Sequence, residues 1–110
     1  MADNDDLDWH RVASAGAIEE EEPEQVKIGE TLIALCKVDG EIYAINDICT
    51  HEYACLSDGF VEGDAIECPL HQARFHIPTG KAMDPPATED VATYRVRLDG
   101  DDVWVGMPKA

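Results

Sequence analysis

Four residues near the middle of the chain carry donor atoms that bind borderline metals. Cys49 and His51 lie in the stretch CTH, and Cys68 and His71 lie in CPLH. Sixteen residues separate His51 from Cys68. Each pair is spaced so that one short loop can point a sulfur and a nitrogen at a common centre. A set of two thiolates and two imidazoles suits zinc or an iron–sulfur centre. Zinc fingers of the Cys₂His₂ type place both cysteines in one pair and both histidines in the other, whereas here each loop supplies one of each. That mixing has no obvious purpose for a single ion. For two irons it has one, because each loop can give a thiolate to one iron and an imidazole to the other. A zinc-bound interaction module stays open as the competing reading.

The elements that must hold these loops read as strands. The run TLIALCKV leads through Asp39-Gly40 into EIYAIN, the pattern of a hairpin with a type I′ turn. VATYRVRL, Asp99-Gly100 and DVWVGM suggest a second hairpin. In its first strand Tyr94, Val96 and Leu98 alternate with Thr93, Arg95 and Arg97, the period of two of a half-buried strand. WHRVA and AIECP are shorter candidates, and ASAGAIEEEE has room for one helical turn between Gly16 and Pro23. The chain is therefore expected to be all-β, with small packed antiparallel sheets. CTH would follow the EIYAIN strand, and CPLH would form the tip of a hairpin between AIEC and RFHI.

At 110 residues, with no internal repeat, the chain is expected to form one domain, residues 1–110. Acidic residues outnumber basic ones 24 to 8, a formal charge of −16. That charge repels phosphate, which makes nucleic acid and anionic membrane poor partners. It serves solubility, and it could also steer the chain towards a basic protein. The start is acidic where a secretory or organellar leader would be basic, and the longest apolar run, Leu32–Cys36, is too short to span a bilayer. A cytoplasmic location is expected, where cysteines serve metals or catalysis more often than disulfides.

C-T-H followed by C-P-L-H resembles the Rieske pattern C-x-H … C-x-x-H, which binds a [2Fe–2S] cluster with two cysteines on one iron and two histidines on the other. The resemblance covers residues 40 to 85 most closely and implies the Rieske domain fold, with a cluster-binding subdomain at about 47–86. It implies that Cys49 and Cys68 hold the inner iron, and His51 and His71 the outer iron near the surface. Two ferric ions, two sulfides and two thiolates sum to zero with neutral imidazoles, whereas four thiolates give −2. A neutral centre takes an electron more readily. Reduction potentials then lie at roughly −150 to +300 mV, against about −400 mV for plant-type ferredoxins.

Neighbouring residues place the expectation at the low end of that range. The high-potential members of the family carry an extra cysteine in each ligand loop, and hydroxyl side chains that donate to sulfur. Here Leu70 stands between Pro69 and His71, so no bridge can form from that loop, and Ala73 and Phe75 replace the hydroxyls. Cys55 is expected to pack over the cluster, Cys36 to belong to the core, and His76 to serve structure. Gln72 stands where relatives often have glycine, and Pro85-Pro86 resembles the loop that covers the cluster.

No second His/His/carboxylate group and no nicotinamide or flavin fingerprint is present. The chain is thus not expected to be an enzyme by itself. It is similar to the Rieske ferredoxins of bacterial aromatic-ring-hydroxylating dioxygenases. That resemblance implies a monomeric one-electron carrier between an NAD(P)H-dependent flavoprotein reductase and a terminal oxygenase. The alternative is a Rieske-like small subunit of a reductase such as assimilatory nitrite reductase.

Overall fold

The computed structural model describes residues 7–49, 54–69, 73–83 and 89–108. Nine strands, β1 (Leu7–Ser14), β2 (Glu24–Ile28), β3 (Thr31–Val38), β4 (Glu41–Asn46), β5 (Phe60–Glu62), β6 (Ala65–Glu67), β7 (Arg74–His76), β8 (Thr93–Asp99) and β9 (Asp102–Pro108), form two antiparallel sheets. The larger has the order β1-β9-β8-β4-β3-β2, and the smaller the order β5-β6-β7. The larger sheet curls until its two end strands, β1 and β2, come into contact.

The β3–β4 hairpin turns as its sequence dictates. Asp39 and Gly40 both have positive φ, 52° and 84°, the requirement of a type I′ turn. The β8–β9 hairpin turns one residue later than expected. Asp99 still pairs with Asp102, and Gly100, at φ 62°, takes the first turn position. Leu98, next to this turn, is exposed rather than half-buried. The expected helical turn is a single 3₁₀ turn at Ala15–Ala17.

Alternation along β3 and β4 divides the interior into two cores. Ile33, Leu35 and Ala44 point into the curled sheet, against Val103 and Val105 of β9. Ala34, Cys36, Val38 and Ile45 point the other way, against Ile66 and Phe75 of the small sheet. Cys36, 1% exposed, is a core residue as expected. The order through the molecule is therefore small sheet, β3–β4, inner core, β9 and its neighbours.

Candidate metal centre

β4 runs straight into the first ligand segment, and the β6–β7 hairpin carries the second. Each segment is pinched at its base by a backbone hydrogen bond. The Cys49 N–H donates to the Ala54 carbonyl at 2.9 Å, and the Cys68 N–H donates to the Ala73 carbonyl at 2.7 Å. Each cysteine thus sits at the neck of a loop with four residues inside it, and each loop holds one of the pattern's histidines. His51 and His71 themselves lie outside the described residues, as do Leu70, Gln72 and Pro85-Pro86.

The two cysteines belong to one apolar cluster with Leu56, Ala73 and Phe75. Their exposures are 3% and 0%, and neither forms a disulfide. Two buried thiols on adjoining loop necks, walled by aliphatic and aromatic side chains, fit a group that takes thiolate ligands on its buried side. Ala73 and Phe75, in the same cluster as Cys68, are fully buried and apolar.

The first loop is anchored by Asp47, which is fully buried. Its carboxylate accepts hydrogen bonds from the Ser57 N–H at 2.6 Å, the Ser57 hydroxyl at 2.7 Å and the Gln25 amide at 2.7 Å. Its backbone adds two more: its N–H donates to Leu32 and its carbonyl accepts from Leu56. Buried charge persists only when it is this well satisfied. The two ends of the loop, at Asp47 and Ser57, are therefore tied to each other and to β2. This anchor was missed in the sequence. A lone aspartate two residues before Cys49 could have suggested it, but its partners are 10 and 22 positions away.

Gly59 joins the two loops. A side chain there would put its Cβ 1.9 Å from the Glu67 carbonyl oxygen, so only glycine allows the exit of the first loop to press on the end of β6, which leads into Cys68. On the far side of the second hairpin, His76 bonds Asp64 at 3.0 Å and Thr79 at 2.8 Å, a structural latch as expected. Cys55 is half-buried, and its sulfur takes a hydrogen bond from the Gln25 amide at 3.4 Å. Burial, then the charges of Asp47 and Asp58, pushes its thiol pKa up.

Residues 8–95 match the Rieske [2Fe-2S] domain. This chain belongs to that family. The cofactor of the Rieske domain is one [2Fe–2S] cluster, and the buried thiol pair fits it. The ferredoxin component of the naphthalene 1,2-dioxygenase/salicylate 5-hydroxylase systems of a Ralstonia species is 46% identical over 99 residues, covering 90% of this chain and 95% of that one. The Sphingomonas yanoikuyae B1 ferredoxin superposes with a TM-score of 0.88 at 32% identity, covering 92% of this chain and all of that one. A chain from the complex of reduced oxygenase and oxidized ferredoxin in carbazole 1,9a-dioxygenase superposes with a TM-score of 0.86 at 32% identity, covering 93% and 95%. The Rieske domain thus accounts for the mostly β architecture.

One further feature flanks the loops. Phe60, Glu67 and Arg74 stand opposite one another across the small sheet, and Met83 extends the row through its N–H to the Arg74 carbonyl. Phe60 and Met83 are 68% and 44% exposed, and the row lies one residue from Cys68 and Ala73.

Proposed function

We propose that this chain is the ferredoxin component of a ring-hydroxylating dioxygenase system, carrying single electrons to a terminal oxygenase from an NAD(P)H-dependent flavoprotein reductase. The carrying observation is the pair of buried, unbridged cysteines at the necks of two loops that each contain a histidine. They lie in a chain that aligns over nearly its whole length with a ferredoxin component. When bound, a [2Fe–2S] cluster supplies one-electron redox chemistry. Cys49 and Cys68 would hold its inner side, and His51 and His71 its outer side. Asp47, Ser57 and Gly59 keep the loops in register, and the Leu56, Ala73 and Phe75 walls keep water from the thiolates. The side chains of Ala73 and Phe75, where high-potential members carry hydroxyls, donate nothing to the sulfurs, so more negative charge stays there and the potential lies at the low end of the family's range, about −150 mV.

The exposed Phe60 and Met83, at the two ends of a row whose middle is Glu67 and Arg74, give partners apolar contacts beside the loops. One face serving two partners in turn calls for small, short-lived complexes of a monomer. The same roles imply a cytoplasmic carrier. The relatives are ferredoxin components of dioxygenase systems, which favours this carrier over a reductase subunit. The test is reconstitution. The loaded chain, mixed with a ferredoxin reductase and NADH, should bleach in the visible and reoxidise when a terminal oxygenase is added. A chain that stays oxidised with every such reductase, while dithionite reduces it, would defeat the proposal.

A further inference from the structure

The curled sheet does not close. β1 and β2 are its two ends, and each pairs on one side only, β1 with β9 and β2 with β3. Their facing edges therefore carry backbone N–H and C=O groups that no described strand takes up. A slip in register between Arg11 and Ala13 leaves Val12 as an extra, bulged residue on β1. Bulges of this kind end pairing at sheet edges. Between the two edges lies a cleft of about 420 Å³, a size typical of small-molecule sites.

The cleft has an apolar floor and a basic rim. Val12, Val26 and Ile28 line it, half-buried, and pack on the core that holds Val103 and Val105. His10 stands opposite Val105 in the register and so shares the inward face of β1, yet it is exposed because β1 has no paired neighbour on that edge. Lys27, also exposed, borders the cleft from β2. Among the described residues neither the His10 ring nor the Lys27 ammonium has a side-chain partner. Arg11 borders the cleft too, but its charge is already met by Asp102 at 2.7 Å. No acidic side chain lines the cleft, in a chain where acidic residues outnumber basic ones 24 to 8.

Width and charge decide what can enter. A polypeptide strand paired to both edges needs about 9.5 Å between them, twice the strand spacing. Cα atoms of β1 and β2 come within 8 Å of each other, so the seam admits a smaller molecule. Lys27 supplies one uncommitted positive charge, and the His10 ring offers an N–H in either protonation state. Each further negative charge on a ligand would meet the −16 of the whole chain. We propose that the seam between β1 and β2 binds a small monocarboxylate with an apolar body of about one ring. The body lies on Val12, Val26 and Ile28, and the carboxylate meets Lys27 and His10. Such a ligand joins the two ends of the sheet. It also braces β2, whose Gln25 holds the Asp47 carboxylate and the Cys55 sulfur of the first ligand loop.

The probe is benzoate, titrated into the oxidised, cluster-loaded, isotope-labelled full-length chain and followed by amide NMR shifts. Ionic strength is held constant, because salt screens exposed charges. A ligand of about ten heavy atoms should bind at roughly 1 mM. Saturable shifts centred on β1 and β2 are expected. Benzamide, which lacks the charge, and acetate, which lacks the body, should each bind at least about fivefold more weakly. Lys27→Gln should weaken benzoate about fivefold, the worth of one exposed ion pair, and Lys27→Arg should retain it, both with the visible spectrum unchanged. The proposal is overturned if no saturable shift appears well above the expected concentration, if the shifts centre elsewhere, or if benzamide or acetate binds as tightly as benzoate. It is also overturned if the Lys27→Gln chain binds benzoate like the parent.

Discussion

Asp47 offers the most demanding test of how the first ligand loop is held. Asp47→Ala removes three acceptor contacts at once. Gln25 stands at the surface and can turn to water, so its loss costs little. The N–H and hydroxyl of Ser57 are half-buried. Each donor left without a partner costs about 1–3 kcal/mol, or about 4 kcal/mol together. Asp47→Asn keeps one oxygen but sets an amide NH₂ against a donor, so about half of that is lost. Ser57→Ala removes only the hydroxyl contact and should cost about 1 kcal/mol. A domain of this size has about 5–15 kcal/mol to lose, so Asp47→Ala should still fold. Its loop base is untied, however, and iron and sulfide content should fall well below that of the parent, with Ser57→Ala in between. The assay is urea unfolding, with the midpoint shifting at constant slope, together with metal and sulfide analysis. Asp47→Ala unfolding within about 0.5 kcal/mol of the parent, with a full complement of iron, would refute the anchoring role.

Other expectations follow from the same geometry. Gly59→Ala should lower both stability, by about 1–3 kcal/mol, and cluster content, because its Cβ has no room beside the Glu67 carbonyl; the same unfolding and iron assays read this. The Cys36 thiol is pushed up from 9.0 to about 12, first by burial and then by the charge of Asp47. The unfolded chain therefore releases this proton first, and the folded state loses up to about 1.4 kcal/mol per pH unit as pH rises from 9 towards 12. Cys36→Ala should flatten that part of the stability–pH curve relative to the parent. Phe60→Ala and Met83→Ala should slow electron delivery to the oxygenase several-fold in stopped flow while leaving reduction by dithionite unchanged; equal rates would remove the row from the docking surface.

Both long hairpins, and the two loops that carry the Cys–His pairs, were readable because their signals are local. Cys-x-His and Cys-x-x-His place donors on one loop each, and Asp39-Gly40 names its own turn. β2 escaped notice because Glu24–Ile28 is an edge strand rich in charge, and its partner, β3, decides its pairing. β5 and β6 have three residues each, too few to show a period. β6 was marked only by leading to the second ligand pair. The shift of the β8–β9 turn by one residue came from Asp99 pairing with Asp102, a choice made by strand register rather than by turn composition. The Asp47 anchor and the Gly59 contact depend on residues that meet only after the sheets pack. The same is true of Cys55, whose sulfur found the Gln25 amide of β2.

The central claim is a two-iron centre made unequal by its ligands, and paired chemical analysis and low-temperature EPR of the dithionite-reduced protein test it most directly. Two irons and two sulfides per chain, with the low-g signal of a mixed cysteine–histidine cluster that disappears in His51→Ala and His71→Ala, is the result expected. A colourless protein with one zinc per chain, or an EPR signal of the all-cysteine kind untouched by either histidine substitution, would contradict it.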